Sequence, residues 1–320
     1  MRAKSIRNLV ILIMVVFTTT SSFAQDASRI YVEPTGWSLG TTFGLTDLWG
    51  DVGTKSILDH YTNSKYFDRM AIMGGMFGRY TIHPALAVRM GLSAGTLYAT
   101  DEWNYDKAII STSQGDDAYQ RYARGQKIRS DIFEGTAMLE LTPFRLNPEK
   151  ARAHKKGQLF LGAGLGYFHF TPYNVVGSGT KYREVYDLHI EGDGFGAGFP
   201  DAYKLWQFCV PMVIGYKWDI GMHCNIGIDL TYRKTFFDYL DNVSGKYIDP
   251  AEYAKHMSAK DAAIAAAVQD KAYLYKLQQP NVAGNVRGNS GNSDAYTSIN
   301  FTFYYKVFSR TKEWWKYHRL

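Results

Sequence analysis

The sequence predicts an all-β fold: an eight-stranded antiparallel transmembrane β-barrel with long extracellular loops, the last of which is partly helical. The first observation is composition. With 46% hydrophobic and 15% aromatic residues the chain is not disordered, and 30 glycines with 24 tyrosines suit antiparallel strands. The second is repeated alternation of apolar and polar residues, and the third is that short and long connections alternate between those segments. Together they favour a membrane barrel over a soluble sandwich.

The first 24 residues predict an export signal. Arg2, Lys4 and Arg7 give a positive start, an unbroken apolar run follows over 9–17, and a small-x-small cleavage site ends at Ala24. A retained membrane anchor is the alternative, but it needs about 20 apolar residues. The chain therefore divides into a signal peptide (1–24), an outer-membrane barrel (25–308) and a basic aromatic periplasmic tail (309–320).

Five strands are predicted in the first half of the chain, at about 35–45, 70–82, 85–98, 128–144 and 157–170. In the fifth, leucines on one parity alternate with Gly162, Gly164 and Gly166 on the other. An eight-stranded barrel has a lumen just wide enough for side chains to fill, which explains glycines on the inner face.

Three strands in the second half show the alternation most clearly. From Leu205 to Trp218 every even position is apolar, and the runs 222–233 and 295–307 repeat the pattern. One face of each strand is therefore lipid-facing and the other lines the lumen. Charged residues on the inner parity are expected to form a satisfied ion network, not an active site: Arg79, Arg89, Glu134, Glu140, Asp229 and Arg233.

The connections predict the topology. Short connections are expected to face the periplasm and long ones the outside, so both termini would be periplasmic. In the last long loop, Ser258 to Asp261 is a capping box and Pro280 a stop signal, which predicts one or two helices within 250–278. The glycine-rich stretch 191–200 is interpreted as a flexible loop. The short connections are 82–84, 145–157 and 219–221, and the long ones are 46–69, 99–127, 171–204 and 238–293.

Charge and cysteine content exclude other classes of protein. Removing the three cations of the export signal lowers the formal net charge from +6 to +3, so nucleic-acid binding loses its main support. A hairpin turn at 219–221 would place Cys209 near Leu230 and Cys224 near Gly215, so we expect two free thiols. No metal-binding or nucleotide-binding spacing occurs, and we predict no metal and no cofactor.

One enzymatic alternative stays open. His169 falls on the lipid-facing parity near the outer end of its strand, roughly opposite Asp131 or Ile132, so a His–Asp pair that modifies lipid is conceivable. No serine lies beside it on that face, and a histidine in the headgroup zone is the simpler interpretation. We predict that the protein is not an enzyme, with a lipid-modifying enzyme or a small-solute channel as the alternatives.

Four segments carry a family resemblance. They are 232–249 (YRKTFFDYLDNVSGKYID), 49–53 (WGDVG), 164–172 (GLGYFHFTP) and 287–290 (RGNS). In their order and spacing the chain resembles the PorG-like family, the outer-membrane β-barrel component of the type IX secretion system. The resemblance implies a non-enzymatic barrel that anchors or organises a periplasmic ring made by a lipoprotein and its partner protein. The 191–200 stretch and the tail beyond Phe308 depart from the family, and 232–249 is alternatively a strand end with its turn.

The periplasmic surfaces supply the predicted partner-binding site. Tryptophan and arginine dominate protein interfaces, and basic side chains steer acidic partners. Aromatics beside basic residues at a membrane edge are also typical of headgroup anchors, so the tail has two interpretations. The predicted docking residues belong to the basic turn and the tail: Arg152, Lys155, Lys156, Arg310, Lys312, Trp314, Trp315, Lys316 and Arg319.

Overall fold

The computed structural model describes residues 35–53, 60, 70–111, 113, 115–146, 157–177, 179–220, 223–271 and 281–307. The predicted signal peptide, most of the predicted basic turn and the predicted tail lie outside the described residues. Nine strands are present in the described part: β1 (Gly36–Trp49), β2 (Ala71–His83), β3 (Leu86–Thr100), β4 (Lys127–Leu141), β5 (Gly157–Val175), β6 (Tyr182–Glu184), β7 (Trp206–Asp219), β8 (Cys224–Thr235) and β9 (Ala295–Lys306).

Eight of these strands close into an antiparallel barrel, as predicted. Strands β1 to β5 pair in chain order, β5 pairs with β7, and the ring continues through β8 and β9 back to β1. The three-residue β6 lies outside the ring and pairs with the last three residues of β5, Tyr173 to Val175. The short connections, the beginning of β1 and the end of β9 lie at one end of the barrel, which we call the short-turn end. The opposite end, reached by the four long connections, is the long-loop end.

Strand limits and one register differ from the predictions. β1 continues to Trp49 and β5 to Val175, whereas β4 stops at Leu141 because Pro143 opens a 3-10 turn over Pro143–Arg145. The predicted register of the β7–β8 hairpin is wrong. Asp219 pairs with Asn225, so the turn is longer than 219–221, and Cys209 lies opposite Thr235 instead of Leu230. Both cysteines are free thiols, as expected.

The barrel wall separates side chains by parity. Along β7 the outward Phe208, Met212 and Ile214 are exposed, whereas the inward Cys209 and Val213 are buried. Leu165, for example, is 70% exposed. Together the outward side chains form a large apolar surface, which is unfavourable in water and favourable in a lipid bilayer. Aromatic rings gather toward both rims of this surface, as membrane interfaces favour. They are Trp37, Tyr80, Tyr216, Trp218 and Tyr305 at the short-turn end and Tyr167, Trp206 and Phe208 toward the long-loop end.

The long connections contain short helices. Of the one or two helices predicted in the last loop, two are present, and Ser258 accepts the Asp261 N–H at 3.2 Å as the capping box requires. A further helix, 117–124, begins after Asp116 and ends at Gly125 in the left-handed conformation, and the sequence analysis did not predict it. Among the described residues no helix is long and apolar enough to cross a membrane. The helices are α1 (Tyr105–Ala108), α2 (Asp117–Arg124), α3 (Pro250–His256) and α4 (Ala259–Gln269), with 3-10 turns at Asp101–Asn104 and Tyr186–Leu188.

The described parts of the four long connections pack together into one unit, which we call the cap. A first core closes the barrel mouth, where Leu240 and Val243 of the last connection pack with Phe168, Phe170 and other barrel residues. A second core joins α3 and α4 to the connection between β5 and β7 through Leu188, Ile190, Tyr253, Ala265 and Val268. The interpretation of 191–200 as a flexible loop is wrong at its beginning, since Glu191 and Asp193 are buried in this unit.

Candidate functional site

The lumen is filled by the predicted ion network. On one side Arg79 Nε donates to Glu140 at 2.6 Å, and Arg89 lies 3.5 Å from Glu140 and 3.9 Å from Asp229. All four side chains are nine-tenths buried or more. Each charge therefore has an opposite charge beside it, which a buried ion requires.

A second cluster of paired polar side chains lies in the lumen closer to the long-loop end. Arg233 Nε donates to Glu134 at 2.7 Å, and the Tyr296 hydroxyl donates to the same carboxylate at 2.5 Å. The lumen cavity between the two groups, lined by Arg89 and Glu134 among the described residues, measures about 30 Å³. That volume holds about one water molecule.

Three aspartates from distant connections meet in the cap. Asp294 Oδ2 accepts the Leu240 N–H at 2.7 Å, Asp241 Oδ2 accepts the Val52 N–H at 2.8 Å, and Asp51 accepts the Asn289 N–H. Burial, and then the charge of neighbouring aspartates, raises the pKa of both Asp241 and Asp294. Buried carboxyl groups therefore tie the first and last connections together.

Glu191 anchors the same unit from the connection between β5 and β7. Its carboxylate accepts the N–H groups of Ser244 (2.9 Å) and Gly245 (2.7 Å) and a hydrogen bond from Arg287 Nη1 at 2.7 Å. The next residue, Gly192, has a φ of +75°, and a Cβ there would lie 2.5 Å from the Phe199 ring. Glycine is required at this position, which gives the glycine-rich stretch a structural role.

Arg124 joins the second connection to the others. Its guanidinium donates to Asp101 at 2.8 Å, to the Asp51 carbonyl at 2.6 Å and to the Arg287 carbonyl at 2.7 Å. Sequence reasoning missed Arg124 and Glu191. The helix that carries Arg124 could have been predicted from its capping residues, Asp116 and Gly125. No local sequence pattern marks Glu191.

The segments that carry the family resemblance therefore meet in space. Segments 49–53, 232–249 and 287–290 are joined by the hydrogen bonds of Asp51, Asp241 and Arg287. Segment 164–172 lies directly beneath them, where the rings of Phe168 and Phe170 contact the Phe237 ring in tilted geometry. The alternative interpretation of 232–249 is correct for its first part, because β8 ends at Thr235, but Leu240 and Val243 also plug the barrel mouth.

The conceivable His–Asp pair does not form. His169 lies opposite Phe133, and its ring contacts Trp206 edge-on with centroids 5.0 Å apart. Asp131 is opposite Thr171 and is paired with Arg129 at 2.9 Å. The expected register was therefore one to two residues off.

The predicted docking residues all lie outside the described residues. Of the basic turn 145–157, the described part includes Arg145, which is buried in the 3-10 turn. Docking therefore remains a prediction. In the described part no group of histidine, cysteine, aspartate or glutamate side chains is arranged to hold a metal ion.

The cap also encloses a polar cavity of about 870 Å³ at the long-loop end. It is bounded by the end of β1, by one face of α2 and by the loop that precedes β9. Trp49, Gln120, Asp238, Tyr247, Asn285 and Asn292 are among the residues that line it.

Comparison with known proteins adds structural neighbours only. No protein-family model matches the chain, and no curated protein matches it. Solved structures that are similar include Ail of Yersinia pestis (8% identity, 85% of this chain, 99% of that chain, TM-score 0.36) and Neisserial surface protein A (6%, 86%, 99%, 0.36). OprG from Pseudomonas aeruginosa is similar too (9%, 87%, 98%, 0.34). The strand pairing and the apolar wall are what establish an eight-stranded barrel of the outer-membrane type.

Proposed function

We propose that the protein is a non-enzymatic outer-membrane barrel that anchors or organises the periplasmic ring of a type IX secretion system. The long-loop end then faces the cell exterior, and the short-turn end, with both chain termini, faces the periplasm. The observation that carries the proposal is the filled lumen: paired buried charges occupy it, and the cap closes its mouth. A barrel of this kind acts through its surfaces.

The family resemblance supplies the identity of the system. Three of its four segments join in the cap and the fourth, 164–172, lies beneath them in β5, so the residues that carry the resemblance surround the barrel mouth. On this basis the partners are outer-membrane lipid and, in the periplasm, a ring lipoprotein with its partner protein.

In this proposal the periplasmic ring docks on the basic turn and the tail. At the short-turn end Lys306 is paired with Asp219 at 3.3 Å, and both side chains are buried. The Lys306 charge is therefore neutralised inside the barrel and does not face a partner. Trp314 and Trp315 offer large contact area, and the cations beside them steer an acidic partner. Burial of the tryptophans should dominate affinity, since truncating such an anchor costs about 2 kcal/mol or more.

Deletion of 309–320 tests this proposal in the native organism. The deletion should preserve barrel folding, seen as heat-modifiable gel migration, while abolishing both co-purification of the periplasmic ring in mild detergent and protein secretion. Replacement of Trp314 and Trp315 by alanine should reproduce most of the loss.

The matched control keeps both tryptophans and changes Lys312 and Lys316 to glutamine. It should slow association with the ring but leave the complex intact at equilibrium, because rim charges act mainly on the association rate. If the deletion leaves ring and secretion intact, the tail is only a membrane anchor. If no ring component co-purifies with the wild-type barrel, the assignment to this system is wrong.

A further inference from the structure

The cavity in the cap has no part in the proposed function, because it opens at the end of the barrel opposite to the docking surfaces. Its volume of about 870 Å³ lies within the range of about 300–1,000 Å³ seen for sites that enclose small ligands. We propose that this cavity binds an uncharged oligosaccharide of a few sugar rings. Three properties of its walls support this ligand class.

The first property is charge balance. The three arginines among the described wall residues are each paired within the protein: Arg121 with Asp117 at 3.0 Å, Arg124 with Asp101 at 2.8 Å, and Arg287 with Glu191 at 2.7 Å. Arg121 also donates to the Asp51 carbonyl. A phosphate or sulfate entering the cavity would have to break one of these pairs, whereas a neutral ligand would not.

The second property is a set of neutral hydrogen-bonding groups. The side-chain amides of Gln120, Asn285 and Asn292 are exposed to the cavity and form no hydrogen bond with any other residue in the part of the chain that the structure describes. An amide both donates and accepts, as a sugar hydroxyl does. Asp238 adds to this set, since burial raises the pKa of its carboxyl group to about 8 and leaves it largely uncharged at neutral pH.

Asp294 gives the wall a further, buried group. This side chain is 1% exposed, and its Oδ1 has no hydrogen-bond partner among the described residues. That oxygen lies beside Gly50, where a Cβ would be 2.6 Å away, and both residues line the cavity. Beside these polar groups the indole of Trp49 supplies aromatic surface, the combination that packs the apolar face of a sugar ring while its hydroxyls are bonded.

The third property is that the walls are fixed before any ligand binds. Arg124 ties α2 to the carbonyls of Asp51 and Arg287, and Glu191 holds Arg287 from below. A site held by buried hydrogen bonds loses little conformational entropy on binding. The cavity is therefore a preformed site and not a gap between independent loops.

Binding is tested with the full chain purified in detergent. The probes are an array of neutral tri- and tetrasaccharides of glucose, galactose, mannose and N-acetylglucosamine, their sulfated counterparts, and tetrapeptides. At least one neutral probe should bind, and its sulfated counterpart should bind more weakly. Asn292→Trp, which places a bulky side chain inside the cavity, should weaken that binding by at least about tenfold, and Gln120→Ala, which removes one amide, by about two- to tenfold.

Ser290→Trp is the matched control, since Ser290 is exposed and lies two residues from Asn292 but outside the walls. It should leave binding within about twofold of wild type, and deletion of 309–320 should leave it unchanged. Gln120→Ala keeps the test valid if Asn292→Trp does not fold, as judged by heat-modifiable migration. The proposal is overturned if no neutral probe binds, if sulfated probes or peptides bind more tightly, or if the two tryptophan variants behave alike.

Discussion

The barrel and the cap are both built around buried charged groups, but they are encoded in different ways. In the barrel, charges such as Arg79, Glu134 and Arg233 recur on the inner parity of strands whose neighbours are already fixed by pairing. In the cap, the corresponding bonds join groups from separate connections, as between Asp241 and the Val52 amide 189 positions away. A period-two pattern thus predicts the first kind of network, while the second depends on how four connections pack.

Breaking an ion pair in the lumen should destabilise the whole barrel. Glu134→Ala should lower the free energy of unfolding by about 3–5 kcal/mol, because Arg233 is left as an unpaired buried charge and Tyr296 loses its acceptor. Urea titration of the protein in detergent micelles, followed by tryptophan fluorescence, measures the change.

Two variants show whether that loss comes from the unpaired charge. Ser93→Ala removes a weaker bond to the same carboxylate, 3.2 Å long, and should cost about 1 kcal/mol. Replacing Glu134 by Leu together with Arg233 by Met should recover most of the stability, because no charge remains unpaired. A double variant as unstable as Glu134→Ala would show that packing and not charge dominates the lumen.

A broken cap pair should have a smaller and local effect. Glu191→Ala removes the acceptor of the Ser244 and Gly245 amides and of Arg287, but the cap can open and let water reach Arg287. The expected cost is about 1–3 kcal/mol in cap stability. Protease added to intact cells should cut within 238–293 faster, while barrel unfolding in urea stays as in wild type. Parallel loss of both would mean that cap and barrel unfold as one unit.

These two networks also mark the limit of sequence-based prediction for this chain. The eight strands, their faces and the paired lumen charges follow from side-chain alternation, because a strand's geometry fixes which residues face inward. The hairpin register at Cys209 was missed because turn length is not read from alternation. The cap was missed because a carboxylate such as Glu191 is recognisable as an anchor only when its partners, 53 and 96 residues away, are known.

The stability of the cap should also depend on pH, through titrating groups in the cap and not through groups in the barrel. Burial raises the pKa of Asp238 from 3.8 to about 8, so the folded cap holds a proton that the open cap releases. The stability of the cap therefore falls as the pH rises between about 4 and 8. Lys271 works in the opposite direction only above about pH 7, where its lowered pKa lies.

The test compares proteolysis within 238–293 at pH 5 and pH 7, normalised to a peptide substrate at each pH. Cleavage of the wild type should be faster at pH 7, and Asp238→Asn, which carries no titrating proton, should reduce the difference. His189, whose pKa is raised mainly by its hydrogen bond to Asp193, contributes in the same direction, so some difference should persist. An unchanged difference in Asp238→Asn would assign the effect to other groups in the cap.

The smallest effect on stability is expected from a substitution on the outer wall, at His169, which lies in neither the lumen nor the cap. His169→Ala removes an edge-on contact with Trp206 at the lipid-facing surface, a change of about 1 kcal/mol or less. Because Asp131 is paired with Arg129 and lies opposite Thr171, no carboxylate in the part of the chain that the structure describes is positioned to activate His169. Mass spectrometry of envelope lipids should therefore give the same profile for His169→Ala and wild type, with Thr171→Ala on the same face as the control. Loss of one lipid species in His169→Ala alone, with normal heat-modifiable migration, would identify a lipid-modifying enzyme and displace the structural role proposed for the barrel.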